Sequence, residues 1–196
     1  MAEAFTTFEL GEASRVCAGI PTDRRVVLLG ESTHGTEEYY RIRAAVTKTL
    51  VEERGFRAVV FEADWPTMEA ANEYVHRRRA TPYLPEDTSR FPLWMWRNQC
   101  TVDMFEWAKA QPEAKTPKLF GFDCYSLFES KKAVLDFLKR HDPEFHIEVR
   151  DRLSYIDKFE TGFQYADAMV RGGLMRIAGH LQEVLTSIQG RCARSS

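Results

Sequence analysis

Three short apolar runs punctuate the chain: "RVVLLGE" (25–31), "RAVVFEADW" (57–65) and "KLFGFDCYS" (118–126). Each is nearly continuous in Val, Leu, Phe and Ala rather than alternating, the pattern of strands covered on both faces in a parallel sheet. Between the first two, a helical pattern runs from about Thr36 to Arg54 and Gly55 stops it. Strand, helix and strand in that order predict a βαβ unit with a right-handed crossover. After the second run, "DWPTMEAANEYVHRRR" opens a helix with Asp64 as candidate N-cap and Pro66 in the first turn. A loop rich in Pro, Asp and Ser spans Thr81 to Pro92, and "LWMWRNQCTVDMFEWAKAQ" predicts an aromatic-rich helix before the third strand.

Beyond Glu129 the pattern is helical throughout. "SKKAVLDFLKRH" and "PEFHIEVRDRLSYIDKF" predict one helix each, and a last helix runs from about Tyr165 to Ile188. Gly172 and Gly173 fall inside it and cost roughly 1 kcal/mol each against alanine, which predicts a kink or a close packing contact. The tail "GRCARSS" has no packing pattern and is expected to fray. The fold class is therefore α/β: a small, mostly parallel sheet of about three strands covered by helices, then a helical C-terminal part. Residues 1–25 form an N-terminal helical segment, 26–130 the α/β core with the site motifs, and 131–196 a helical extension. Sheets more often hold about 4 to 6 strands. Either a strand hides in the N-terminal segment, or the sheet is completed by something outside this chain.

Composition narrows the function classes. With 44% hydrophobic and 29% charged residues, the chain has material for a real core. A net charge of −2 gives no electrostatic reason for a nucleic-acid or anionic-membrane partner, and the basic run His76–Arg79 reads as a solvated helix end. Cys17, Cys100, Cys124 and Cys192 form neither a CxxC pair nor a zinc spacing. With no leader-like N-terminus and no apolar stretch of membrane length, the expected location is the cytoplasm.

Candidate chemistry concentrates at the strand ends, where open α/β sheets bind ligands. The three runs end in Glu31, Glu62 and Asp123. Glu is a poor turn former, and a carboxylate at a buried strand end needs a partner. Tyr39, Arg43, Val46 and Leu50 share one helical face, three of them apolar, so Arg43 faces inward. Arg41 lies on another face, one turn from Glu37. A guanidinium fork on Arg43 can hold two carboxylates, with Glu31 and Glu62 as candidates. His34 stands three residues after Glu31, close enough for the carboxylate to fix its tautomer and leave the other nitrogen to deprotonate water. Glu31, His34, Glu62 and Asp123 would also suit a divalent ion, but the Arg43 cation competes with it, so the reading is a site without metal or other cofactor. No G-x-S-x-G elbow accompanies Ser32 or Thr33, and Cys124 reads as a small core residue. His76 and His141 read as helix-end residues, and His146 and His180 have no acid cluster around them.

"LLGESTHGTEEYYRIR", "RAVVFEADWPTMEAANEYV", "FPLWMWRNQCTVDMFEWA" and "KLFGFDCYSL", in this order and spacing over roughly Val26 to Ser130, resemble the erythromycin esterase-type family. The resemblance implies ester hydrolysis of macrolide macrolactones, and so a role in the response to antibiotic, by water activated on histidine rather than by a covalent serine. It implies catalytic roles for Glu31, His34, Arg43 and Glu62; Asp123, the acid at the third strand end, is read as substrate-binding. Family members are considerably longer, and their later half supplies further strands and a His-Asn-x-His motif. No His-Asn pair occurs here. The expectation is thus an incomplete domain that acts on a small-molecule ester if the other half is supplied, and that self-associates through an uncovered sheet edge. The alternative is a non-catalytic homologue that binds a ligand or partner.

Overall fold

The computed structural model describes residues 13–81, 93–123, 125–172 and 175–192. The first twelve residues of the N-terminal segment, the Thr81–Pro92 loop after its first residue, Cys124, residues 173–174 and the end of the tail lie outside them. The chain divides into two compact units, Met1–Asp123 and Cys124–Ser196.

The first unit carries the sheet. Helix α1 (Ala13–Ala18) precedes α2 (Glu37–Arg54), whose last turn closes on Gly55 in the left-handed conformation (φ 72°). Strand β1 (Ala58–Asp64) runs directly into α3 (Trp65–Val75), and Pro66 occupies the first turn where its missing N–H costs nothing. Asp64 holds the N-cap position with no side-chain cap bond. The predicted aromatic helix is two elements: a 3₁₀ turn, Leu93–Trp96, then α4 (Gln99–Ala110). The break falls at Asn98, whose Oδ1 accepts from Thr101 N at 2.9 Å as the N-cap of α4 and whose Nδ2 donates to Met95 O at 2.8 Å. Strand β2 (Lys118–Asp123) lies parallel to β1, with Val59 opposite Leu119 and Val60 opposite Phe120.

One face of this sheet is built into a core. Phe61, Ala63 and Leu119 pack against Met68, Ala71 and Val75 of α3 and Met104, Phe105 and Ala108 of α4. Each large apolar side chain buried there contributes about 1.5–3 kcal/mol. Asn72 of α3 accepts from the buried Leu119 N–H at 3.0 Å, and Trp107 Nε1 ties α4 to Glu52 of α2 at 2.8 Å. Gly121 is required by close approach: a Cβ there would lie 2.3 Å from Ala63 O and 2.6 Å from Asp64 O, where the ladder register shifts between Phe61 and Asp64.

The opposite face corrects two expectations. Val60, Phe120 and Phe122 are exposed there, so the sheet is covered on one side only. The first apolar run, Val26–Gly30, is not a strand. Val27 and Leu29 turn toward the Cys17, Val46 and Leu50 cluster of α1 and α2, while Val26 and Leu28 face outward. The physical reason is the missing ladder: a cavity of about 180 Å³ opens between Leu29 and the Val59–Glu62 stretch of β1. The run has apolar partners on one side and, among the described residues, no strand paired with it.

The second unit is helical: α5 (Leu127–His141), α6 (Pro143–Leu153), a 3₁₀ segment Ser154–Lys158, α7 (Gly162–Gly172) and α8 (Met175–Cys192). Leu138, Phe145, Val149, Leu153, Ile156 and Val184 make its core. The expected long last helix is thus two, and the residues between them fall outside the described ones. Asp142 caps α6 by accepting from Phe145 N, and Arg191 Nη1 reaches the same carboxylate at 2.6 Å. That backbone bond, then the Arg191 pair, hold the Asp142 carboxyl below its ordinary value.

Candidate active site

The loop Gly30–Thr36 delivers Glu31 and His34 to the start of α2, where Arg43 waits one and a half turns in. Within the loop, Thr33 Oγ1 accepts from Gly35 N and Ser32 Oγ lies 2.5 Å from Tyr39 Oη, two local bonds that set its course. Glu31 is the hub. His34 Nδ1 lies 2.6 Å from its Oε1, and Arg43 Nη2 lies 2.5 Å from its Oε2. The Glu31 side chain is 7% exposed, so this carboxylate is held by two side chains largely away from water. An ionised carboxylate only accepts, so Nδ1 is the donor in this bond.

Arg43 is 17% exposed and Arg41 is 62% exposed, the latter 3.9 Å from Glu37. The contact of Arg43 with Glu31 is an ion pair. Arg43 Nε has no hydrogen-bond partner among the described residues. Glu62 does not complete the expected fork: no ion pair joins it to Arg43 among the described residues. It stands instead with Glu31 and His34, one ligand atom of each lying within 4.8 Å of the others. That spacing is compatible with a metal ion, but Arg43 already shares the Glu31 carboxylate.

Two aromatic residues bind the constellation together. The Arg43 guanidinium carbon lies 4.9 Å from the Tyr40 ring centre and 5.4 Å from that of Trp96. Tyr40 Oη donates to His34 O at 2.7 Å, and Trp96 Nε1 donates to Glu62 O at 2.8 Å. The two rings meet edge-on at 5.8 Å. Sequence reasoning had placed both in helical patterns without a site role. The signal was available for Tyr40, which is adjacent to the Arg43 face, but not for Trp96, whose place depends on the 3₁₀ turn.

Asp123 sits at the end of β2, paired in register with Asp64 of β1. Burial, then Glu62, then Asp64 push its carboxyl above the ordinary value. Asp123 Oδ2 has no hydrogen-bond partner among the described residues. Asp64 is fully buried beside it and was read from sequence only as a helix cap. The acid following Glu62 by two positions on the same strand was the signal for a second carboxylate there. No helix among the described residues is long and apolar enough to cross a membrane.

Comparison with known proteins gives the chain a family. YbfO of Bacillus subtilis (strain 168), whose name proposes a hydrolase, is 32% identical over 123 residues, covering 62% of this chain and 27% of that protein. Erythromycin esterase type II of Escherichia coli is 24% identical over 148 residues, covering 71% and 34%. A succinoglycan biosynthesis protein of known structure superposes with a TM-score of 0.57 at 26% identity, covering 81% of this chain and 43% of that one. A Bacillus cereus protein of known structure shares the fold at a TM-score of 0.50 and 23% identity, covering 64% and 30%. The chain spans about a third or less of the length of the two sequence relatives. The erythromycin esterase family profile matches residues 51–195, a stretch that holds Glu62 and Asp123 and begins after Glu31, His34 and Arg43. The chain belongs to the erythromycin esterase family.

Proposed function

We propose that this chain carries the water-activating part of an esterase-type hydrolase, in which Glu31, His34, Arg43 and Glu62 are catalytic. The observation that supports it most is the single Glu31 carboxylate bonded to His34 Nδ1 on one oxygen and paired with Arg43 on the other. In this reading His34 Nε2 takes a proton from water, and the hydroxide attacks the ester carbonyl. Arg43, held by the Glu31 carboxylate, stabilises the oxyanion that develops. The tetrahedral intermediate then collapses, the alkoxide leaves with the proton from His34, and a carboxylic acid and an alcohol are released. Glu62 holds the site's negative charge beside His34. Asp123, whose carboxyl is raised above its ordinary value by burial, then Glu62, then Asp64, contacts the bound substrate. The proposed substrate is a macrolactone ester of the erythromycin type, the proposed location the cytoplasm, and no metal or cofactor takes part.

A second reading is favoured by the bare face of the sheet. It is a non-catalytic homologue that binds a ligand or a partner polypeptide. Assay of erythromycin opening by this chain alone, beside one extended by the remaining portion of YbfO, separates the two. Hydrolysis that disappears in His34→Ala and survives exhaustive chelation supports the first. Absence of turnover in both forms, with both folded, supports the second.

A further inference from the structure

A second cavity, of about 340 Å³, is lined by His34 and shares Tyr40 and Cys100 with the Leu29 and β1 cavity. Its walls are built by the first residues of α2 and α4 and by the 3₁₀ turn, Leu93–Trp96. That turn buries Met95 and Trp96 in the core and leaves Trp94 outside, 44% exposed, although an indole of that size would stabilise the core if buried. The Trp94 ring stands edge-on to the His34 imidazole, with centroids 6.1 Å apart. The cavity therefore presents an aromatic surface directly beside the histidine that would act on a substrate.

The polar groups around it are mainly acceptors. Gln99 donates one of its two amide N–H groups to Asp103 Oδ1 at 2.7 Å, which leaves its Oε1 and one N–H for a ligand. Tyr40 spends its hydroxyl proton on His34 O. Glu37 brings a carboxylate, held loosely 3.9 Å from Arg41, so the rim is not a net anionic trap for cations. Asn98 is consumed as the α4 cap. An aromatic face bordered by acceptor oxygens fits a ring that offers apolar C–H groups on one side and O–H donors at its edge.

We infer that the Trp94 cavity is a binding subsite for a hydroxylated saturated ring of the pyranoside class, the non-reacting portion of the substrate. It takes from the proposed hydrolysis only the position of His34. Binding energy gathered there would orient a neighbouring ester against the catalytic residues.

The test is binding, so a chain that hydrolyses no ester still answers it. The chain has four tryptophans, and each contributes one indole N–H signal in a ¹⁵N-correlated NMR spectrum; Trp94→Phe assigns the relevant one. Titration with methyl β-D-glucopyranoside is expected to move the Trp94 signal saturably and to leave those of Trp65 and Trp107 in place. Glu37→Gln and Gln99→Leu are each expected to weaken that binding several-fold, and cyclohexylmethanol, which lacks the ring hydroxyls, to bind at least tenfold more weakly. Trp94→Ala, with its three remaining indole signals unchanged, is expected to abolish binding. No movement of the Trp94 signal by the glucoside would overturn the inference. Equal binding of cyclohexylmethanol, or tighter binding of tetramethylammonium, would overturn the ligand class.

Discussion

Arg43 is held on three sides, by the Glu31 carboxylate and by the Tyr40 and Trp96 rings, and this explains why it can stay charged at 17% exposure. Trp96→Phe keeps the ring but removes the bond to Glu62 O. It is expected to cost about 1 kcal/mol, read as a lower urea midpoint with an unchanged slope. Asp123 gives the pH-dependent case. Its carboxyl is raised in the folded state, so as pH climbs from the ordinary carboxylate value to the higher folded one, the unfolded chain loses its proton first and stability falls. Asp123→Asn lacks this decline. Its melting temperature is expected to gain on the native chain between acidic and neutral pH, and a constant difference across that range would count against the assignment. At this scale the sequence spoke clearly for Arg43, because helical phase separates an inward guanidinium from an outward one three-fifths of a turn away. It was silent on Trp96 and Asp64, whose roles come from contacts between segments far apart in the chain.

Individual elements were legible where a local signal stops or starts them. Gly55 closes α2, Pro66 opens α3, and Lys118–Asp123 reads as a strand from its apolar run. The first run, Val26–Gly30, shows the limit. An apolar segment is competent to be a strand, but its backbone joins a ladder only if a neighbour lies at hydrogen-bonding distance, and that is decided by the rest of the sheet. The aromatic helix was likewise misread as one element, because apolar spacing carries through a 3₁₀ turn and only the Asn98 cap marks the break. Gly121 makes the sharpest prediction at this scale. Gly121→Ala would drive a methyl group into the Ala63 and Asp64 carbonyls. It is expected to destabilise the first unit by more than about 2 kcal/mol, measured by thermal unfolding, whereas an alanine at the open Gly35 would not.

For the whole molecule, the dominant feature is a parallel pair of strands with one face built into a core and the other in water. Val60, Phe120 and Phe122 line that face, and Phe122 is 66% exposed. Exposed apolar surface on a sheet is a template for association. The isolated chain is expected to sediment with concentration-dependent mass and to enhance the fluorescence of an apolar dye, and Phe122→Glu to reduce both. A monomer that leaves the dye dark would show the face to be stable as it is. In a living cell the same surface has a further consequence. Chaperones and proteases survey newly made chains for uncovered apolar side chains, so copies whose sheet stays bare are removed and covered copies persist. Wherever this stretch is made with nothing over that face, its steady-state amount is expected to follow the supply of whatever covers Phe120 and Phe122. Pulse-chase labelling should show a lifetime that lengthens in Phe122→Glu.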